Sequence, residues 1–195
     1  GGRQPGETEE LTVTVLMSDI RGYTTIAEHA DPSVLAGQLH EHRAVMNRAI
    51  LGEAGTVMQF VGDAVMAVFG APVASEDHAD RAVAAAIAMQ QGQHELNQGW
   101  ERSGQPAFGL GIGLSTGPVA AALLGSEERL EYTVVGDTVN LTQRLQQWAA
   151  PGETVLSEPT WAAMGHMPEA EKLEPARVKG RETPVGGYRF PPRPR

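Results

Sequence analysis

The chain has 195 residues, of which 41% are hydrophobic, and its formal net charge at pH 7 is −9. A chain of this size builds one domain around a single core and leaves little room for a second. The negative balance argues against a broad basic face for nucleic acid, and the absence of Cys excludes disulfides and thiolate metal sites.

The two ends of the chain differ in composition from its middle. Residues 1–10, GGRQPGETEE, are expected to be a disordered linker or a remnant of cloning, and residues 191–195, PPRPR, a disordered tail. The folded domain is then expected to cover residues 11–190. The same composition is expected of a piece cut from a larger protein whose regulatory domains lie outside it. No run approaches the roughly 20 apolar residues of a membrane span and no signal peptide heads the chain, so we expect a cytoplasmic protein without membrane contact.

The first predicted elements are a strand and two helices. Residues 11–17, LTVTVLM, form a β-branched run that delivers Asp19 at its end. The loop around Gly22 leads into a short helix that is predicted to begin near Thr24 or Thr25. From residue 33 to about residue 53 the apolar positions recur at helical spacing, which predicts a long amphipathic helix.

Residues 57–70, VMQFVGDAVMAVFG, place the carboxylate of Asp63 and the amide of Gln59 inside an apolar run. The β-rich residues 57–61 and 64–69 flank a Gly-Asp pair, a pattern typical of a tight hairpin. An unpaired carboxylate buried there would cost several kcal/mol, so Asp63 must reach the surface or meet a cation. A simple turn residue and a metal ligand both remain open at this point.

The second half of the chain alternates helices with β-rich runs. The alanine-rich residues 81–96 predict a helix, and residues 107–124 predict two short strands around a Ser-Thr-Gly-Pro turn. Residues 132–135, YTVV, predict a strand that leads into a helix with Asp137 or Thr138 as its N-cap.

Residues 153–157 predict a further strand, and residues 172–190 a terminal β pair. The order of elements is β, α, β, β, α, β, followed by further β and α elements. This order predicts an α/β sandwich of the α+β type, with a ferredoxin-like βαββαβ core and a mixed, mainly antiparallel sheet.

Asp19 ends the first strand, and Asp63 lies at the tip of the hairpin that we expect beside it. Two carboxylates that converge at one sheet edge form an oxygen site for Mg²⁺ or Mn²⁺, whose remaining ligands are water and phosphate. The loop after Asp19 exposes backbone N–H groups for phosphate oxygens at Gly22, Tyr23 and Thr24. A metal pair beside a phosphate loop indicates phosphoryl-transfer chemistry.

Asn140 and Arg144 lie four residues apart on the helix after Gly136 and share one face. The Arg fork suits phosphate, and the Asn amide suits a ribose. Spacing alone leaves open that both side chains simply face water.

Four blocks, in this order, resemble the catalytic domain of class III nucleotidyl cyclases, the adenylate and guanylate cyclases: LMSDIRGYTTIAE, VMQFVGDAVMAVFGAP, GIGLSTGPV and YTVVGDTVNLTQRL. The resemblance covers roughly residues 11–190. It implies an adenylate cyclase that converts ATP to 3',5'-cyclic AMP and pyrophosphate. It also implies a homodimer whose active sites are shared, with metal ligands from one chain and base-reading and transition-state residues from the other.

The resemblance assigns the metal ligands. Asp19, Asp63 and the backbone carbonyl of Ile20 match the positions that bind two metal ions in the family, Mg²⁺ or Mn²⁺. The carboxylate in the apolar hairpin is therefore expected to serve a metal.

The resemblance also assigns residues to the nucleotide. Asn140 and Arg144 match the residues that support ribose and phosphate in the transition state. Lys179, in the segment VKGRE, matches a Lys that contacts the triphosphate.

Three positions depart from the family pattern. Gln59 stands where adenylate cyclases carry Lys and guanylate cyclases Glu, and an amide discriminates weakly because it both donates and accepts. Thr133 stands at the partner position and resembles class IIIb, which includes bicarbonate-responsive adenylate cyclases, so it favours ATP. Gly111 replaces an Arg of many members, which leaves Lys179 and Arg21 as candidates for the lost phosphate contact.

Two other interpretations stay open. Gln59 and Thr133 are compatible with a guanylate or dual-specificity cyclase. Gln59 and Gly111 are compatible with a weakly active or inactive nucleotide-binding dimerisation module.

His40 and His42 are two residues apart on a helix and face apart, so no His pair for a metal is expected.

Overall fold

The computed structural model describes residues 6–194. The predictions of disorder at residues 1–5 and at residue 195 lie outside this range. The described residues form five helices and eight strands: β1 Thr8–Arg21, α1 Tyr23–His29, α2 Pro32–Gly52, β2 Thr56–Val61, β3 Ala64–Phe69, α3 His78–Arg102, β4 Gly109–Ser126, β5 Arg129–Val135, α4 Asp137–Gln147, β6 Thr154–Ser157, α5 Glu158–Ala163, β7 Glu171–Lys172 and β8 Gly187–Phe190.

The strands form one sheet in the order β2-β3-β1-β4-β6-β8-β7, and β5 pairs with β4. The pairing of β4 with β6 is parallel, and the other strand pairs are antiparallel. The chain thus combines helices with a mixed, mainly antiparallel sheet, which confirms the predicted fold class. No helix within residues 6–194 is both long enough and apolar enough to cross a membrane.

β1 is the central strand that positions the site. It begins at Thr8, three residues before the predicted boundary, because it pairs with β4 along its whole length, from Thr8 opposite Ala122 to Arg21 opposite Gly109. Part of the predicted linker is therefore strand. On its other side β1 pairs with β3, which brings the β2–β3 hairpin beside the end of β1.

β4 is one 18-residue strand, so the prediction of two short strands around a turn is wrong. The Ser-Thr-Gly-Pro segment is a local turn signal, and long-range pairing with β1 overrides it. On the side away from β1, β4 pairs with β6 at residues 112–114 and with β5 at residues 120–126. Pro118 falls between these two neighbours, where no strand requires its missing N–H.

Helix α4 begins after Gly136, and the predicted N-cap at Asp137 or Thr138 is wrong. Gly136 is the N-cap, with φ of 141°, and no side chain caps the helix. The two candidate side chains have other partners: Thr138 Oγ1 donates to the Pro118 carbonyl at 2.8 Å, and Asp137 forms an ion pair with Arg181. Tertiary contacts therefore take the groups that a local cap would use.

α4 packs directly on β4 at Gly113. A Cβ at this position would lie 2.4 Å from the backbone nitrogen of Gln146. Only glycine permits so close an approach of helix backbone and strand. Gly113 thereby fixes the height of α4 above the sheet.

The end of the chain is held more tightly than expected. Arg193 donates to Glu153 from Nε at 2.8 Å and from Nη2 at 3.0 Å. The tail predicted to be disordered is therefore anchored to the sheet end at residue 193. The sequence interpretation also omitted α5, where Ser157 is the N-cap and accepts a hydrogen bond from the backbone N–H of Thr160 at 3.2 Å.

His42 is fully buried on α2, with its ring edge-on to that of Phe108. Its Nδ1 lies 2.6 Å from Oε1 of Gln93. Burial lowers the pKa of His42, and this outweighs the hydrogen bond to Gln93 and the negative charge of Asp63, which act in the opposite direction. The ring is therefore neutral in the folded chain at neutral pH.

We expect acidification to destabilise the fold through His42. The unfolded chain protonates this His below about pH 6.5, whereas the folded chain does so only at lower pH, so the free energy of unfolding falls as pH drops, by at most about 1.4 kcal/mol per pH unit. Urea unfolding at about pH 7, 6 and 5 measures this slope for the wild type and for His42→Gln, which retains a partner for Gln93. Equal slopes for the two proteins would contradict the assignment.

Candidate active site

The two acidic residues singled out in the sequence meet at one sheet edge. Asp63 lies in the two-residue turn between β2 and β3, and its Oδ2 accepts a hydrogen bond from the backbone N–H of Ile20 at 2.9 Å. Asp19 is the preceding residue on β1. Both carboxylates line a cavity of about 410 Å³. The structure thus brings Asp19, Ile20 and Asp63 together.

The same cavity contains the loop that follows Asp19. Its lining includes Gly22, Tyr23 and Thr24, at the start of α1. Gly22 has φ of 69°, so it turns the chain from the strand into the helix. The helix begins at Tyr23, close to the predicted start at Thr24 or Thr25. All three predicted loop contacts therefore face the cavity of the carboxylates.

Arg43 supports the turn that carries Asp63. Its Nη2 donates to the carbonyl of Gly62 at 2.6 Å, and its guanidinium lies 5.4 Å from the ring centroid of Phe60. Gly62 has φ of 58°, as a tight turn between two strands requires. Through Arg43, helix α2 thus stabilises the position of the turn that carries Asp63.

Arg21 is the cation nearest to the carboxylates. Its Nη2 donates to Oδ1 of Asp19 in an ion pair, and its Nη1 donates to the carbonyls of Gln146 at 3.1 Å and Ala149 at 3.0 Å. Burial lowers the pKa of Arg21 and the negative charge of Asp63 raises it in part. The guanidinium stays charged regardless, because an arginine side chain does not lose its proton in proteins.

Two carboxylates and a carbonyl suit a hard divalent cation. Within residues 6–194, no group of three or more His, Asp or Glu side chains gathers at one point. A metal bound at Asp19 and Asp63 must therefore complete its ligand shell with backbone, water or phosphate oxygens. Mg²⁺ accepts this arrangement readily, since it retains several waters and uses one or two carboxylates.

The residues predicted to read the base lie in a second cavity. Gln59 on β2 and Thr133 on β5 line a space of about 450 Å³ together with Met58, Met66 and Glu131. The two predicted base-reading residues are therefore neighbours, in a cavity different from that of Asp19 and Asp63. The sequence interpretation overlooked Glu131, which lines the same space and forms an ion pair with Arg129 at 2.9 Å.

The residues predicted to contact ribose and phosphate lie in a third cavity. Asn140 and Arg144 on α4 and Lys179 after it line a space of about 490 Å³. Arg181 lines the same space and forms an ion pair with Asp137. Arg144, Lys179 and Arg181 outnumber Asp137, which lines the same cavity, so the local charge favours an anion there. Arg181 was overlooked, although the segment VKGRE carries it two residues after Lys179.

Helix α4 connects the cavities. Val139 lines the cavity of Gln59 and Thr133, which we call the base cavity after its predicted role. Asn140 and Arg144 line the cavity of Lys179, called the phosphate cavity in the same way. Gln143 lines this cavity and also that of Asp19 and Asp63, called the metal cavity. One short helix thus presents residues to all three spaces. Its exact height above the sheet, fixed at Gly113, therefore affects each of them.

Comparison with known proteins places these residues in a family. The sequence matches the family model of the adenylate and guanylate cyclase catalytic domain over residues 7–189. Adenylate cyclase 1 of Rhizobium meliloti (strain 1021) is 34% identical over 192 residues, which cover 96% of this chain and 28% of that protein. This chain thus spans little more than a quarter of that relative.

Two solved structures share the fold closely. The adenylyl cyclase CyaB from P. aeruginosa superposes with a TM-score of 0.88 at 32% identity, over 94% of this chain and 95% of that one. The guanylyl cyclase Cya2 superposes with a TM-score of 0.85 at 34% identity, over 93% and 92% of the two chains. Neighbours of both nucleotide specificities therefore resemble this chain to a similar degree.

Proposed function

Because this chain belongs to the adenylate and guanylate cyclase catalytic domain family, we propose that it converts ATP to 3',5'-cyclic AMP and pyrophosphate at sites shared between two copies of the chain. The observation that carries the proposal is the meeting of Asp19 and Asp63 at one cavity, through the hydrogen bond from Ile20 to Asp63. Cyclase chemistry needs such a paired oxygen site beside the phosphate chain.

We assign the metal to Asp19, Asp63 and the carbonyl of Ile20. When bound there, two Mg²⁺ or Mn²⁺ ions make the 3'-hydroxyl more acidic and offset charge on the triphosphate. The backbone of Gly22, Tyr23 and Thr24 lines the same cavity and donates to phosphate oxygens. These groups hold the phosphate chain so that the 3'-oxygen lies in line with the α-phosphorus.

Asn140, Arg144 and Lys179 are assigned to the reacting ends of the substrate. The 3'-hydroxyl gives its proton to solvent water, and its oxygen forms a bond to the α-phosphorus while the bond from that phosphorus to pyrophosphate breaks. Arg144 offers a planar donor fork to the charge that develops on phosphate, and Asn140 holds the ribose. Lys179 shares their cavity and binds the leaving pyrophosphate.

A second copy completes each site in this proposal. Gln59 and Thr133 line a cavity other than that of the metal carboxylates, so one chain alone separates the base pocket from the metal. Leu124, Leu130 and Val135 are exposed on the β4–β5 ribbon that carries Thr133. An exposed apolar ribbon is what a subunit contact covers. Two copies related by symmetry would hold two equivalent sites, because each chain carries both sets of residues.

Gln59 and Thr133 select the nucleotide. We favour ATP, because Thr133 follows the pattern of class IIIb and because the relative from Rhizobium meliloti is an adenylate cyclase. Guanylate or dual specificity is the second candidate, and Glu131 favours it. Glu131 lines the cavity and its carboxylate is paired with Arg129; turned toward the base, this carboxylate would accept hydrogen bonds from N1 and N2 of guanine.

We expect the purified chain with Mn²⁺ to form cyclic AMP with a kcat/KM about tenfold above that for cyclic GMP. Its specific activity should rise with protein concentration, because dimers assemble by mass action. Chromatographic product analysis with ATP and GTP over a protein concentration series measures both. Preference for GTP would favour the second candidate. Binding of ATP without product at any concentration would indicate an inactive nucleotide-binding module.

The role of Gln59 is checked by a single variant in the same assay. Gln59→Glu removes the donor for adenine N1 and leaves an acceptor, so the ratio of ATP to GTP turnover should fall by about tenfold. Gln98→Glu, an exposed substitution of the same kind on α3, should leave the ratio unchanged. Equal ratios in both variants would remove Gln59 from the base pocket.

A further inference from the structure

Arg21 occupies a position that the proposed reaction does not yet use. Its guanidinium links the metal carboxylate Asp19 to the carbonyls of Gln146 and Ala149 at the end of α4. Its side chain is 20% exposed and lines the metal cavity. A cation is therefore already placed on one of the two carboxylates that we propose as metal ligands.

Two of the three contacts of Arg21 do not depend on Asp19. The carbonyls at the end of a helix lack intrahelical partners and carry partial negative charge, so they hold a cation well. Nη1 of Arg21 bonds to the carbonyl of Gln146, in the last turn of α4, and to that of Ala149, two residues after the helix. If Asp19 takes another partner, the guanidinium remains tethered in the cavity, and Nη2 then has a free N–H.

Gly111 provides the space for this guanidinium. Gly111 lies opposite Asp19 in the β1–β4 pairing. A Cβ at residue 111 would lie 2.6 Å from Cζ of Arg21 and 2.9 Å from its Nε and Nη1. Any larger residue therefore displaces the Arg21 head group. The flexible end of a side chain can move aside, so the fold tolerates such a change.

We propose that Arg21 is a resident counter-ion of Asp19 that yields this carboxylate to a divalent cation and then binds the substrate's polyphosphate in the same cavity. This inference rests on the proposed function. A monovalent cation on Asp19 competes with a divalent one for the same oxygen atoms. Once released, the planar fork of Arg21 is a bidentate phosphate donor beside the loop of Gly22, Tyr23 and Thr24.

The inference explains how the chain tolerates Gly111. The family resemblance places an Arg of many members where Gly111 stands, and here the space beside Gly111 is filled instead by a cation from the end of β1. The phosphate contact is thus moved to the neighbouring strand. Arg21 and Gly111 act as one unit, and a change at either residue should have the same consequence.

The test compares Arg21→Gln and Gly111→Ala with the wild type as full chains. We expect both variants to bind Mn²⁺ alone about three- to tenfold more tightly, because the competing cation is removed in Arg21→Gln and displaced from Asp19 in Gly111→Ala. In saturating Mn²⁺, both should bind α,β-methylene-ATP, which cannot be cyclised, about tenfold more weakly. Electron paramagnetic resonance of free Mn²⁺ measures the first affinity, and calorimetry the second.

Three further variants make the outcome decisive. Arg21→Lys keeps the charge without the fork, so Mn²⁺ affinity should return toward that of the wild type while analogue binding stays weak. Arg81→Gln, on α3 and away from the metal cavity, should change neither affinity. Thermal unfolding confirms that each variant is folded. Unchanged or weaker Mn²⁺ binding by folded Arg21→Gln would overturn the inference, and so would unchanged affinities in folded Gly111→Ala.

Asp19→Asn separates this inference from the proposed function. It should abolish the tight binding of Mn²⁺ in both the wild-type and the Arg21→Gln background. If Asp19→Asn binds Mn²⁺ as the wild type does, then Asp19 is not a metal ligand and the proposed metal site fails. If it loses Mn²⁺ but Arg21→Gln gains none, the metal site stands and only the counter-ion role of Arg21 is refuted.

Discussion

Replacing Asp63 by Asn is expected to lower kcat/KM for cyclic AMP formation on the order of a thousandfold while the fold stays intact. Asn has nearly the same shape and retains an oxygen that accepts the hydrogen bond from Ile20, so the hairpin turn keeps its place. It lacks the negative charge that binds a divalent cation. Loss of about 4 kcal/mol of transition-state stabilisation corresponds to this factor.

Product assays with Mg²⁺ and Mn²⁺ measure the effect of Asp63→Asn, and urea unfolding checks the fold. Asp77→Asn is the matched control, since Asp77 is exposed and its side chain bonds to Ser75 and Arg81, away from the cavity of Asp63. The control should retain activity, because exposed ion pairs contribute little to stability. Turnover by Asp63→Asn close to that of the wild type with Mn²⁺ would remove Asp63 from the metal site.

Mixing two inactive variants is expected to restore activity. In the proposed site, one chain supplies the metal ligands and the other chain the residues that stabilise the transition state. Asp63→Asn impairs the first set, and Arg144→Ala impairs the second. A mixed dimer carries both lesions in one site and neither in the other. With random pairing of equal amounts, half of the dimers are mixed and half of their sites are intact, so activity should recover to about a quarter of the wild-type value.

The control for this experiment is a second mixture. Asp63→Asn with Asp19→Asn places both lesions in the same half, so no pairing produces an intact site. The recovered activity should appear within the time of subunit exchange and should depend on total protein concentration. If the first mixture recovers no activity although both variants form dimers, the active site is not divided between two chains in the proposed way.

The hairpin was predictable because its signals are local. Two β-rich runs around Gly62 and Asp63 require a tight turn, and Asp19 lies near the end of the neighbouring strand β1. A charge inside an apolar run also marks a position that needs either the surface or a cation. Each of the two carboxylates was therefore predictable from the pattern of its own segment.

The contacts of Arg21 were not predictable from local signals. They depend on the register that places Gly111 opposite Asp19 and on the end of α4, more than 120 residues further along the chain. The same long-range pairing turned the Ser-Thr-Gly-Pro segment of β4 into strand, against its local turn preference. Propensity describes a residue and its neighbours, whereas register and helix placement depend on the packed core.

Because α4 packs directly against Gly113 of β4, the helix and the strand are expected to move together as one rigid unit. No side chain lies between the Gln146 backbone and the strand to absorb a shift, and packed interiors compress little. A movement of β4 along or across the sheet must therefore carry α4 with it. A displacement of β4 that is transmitted through its 14-residue pairing with β1 therefore also displaces Asn140 and Arg144 on α4.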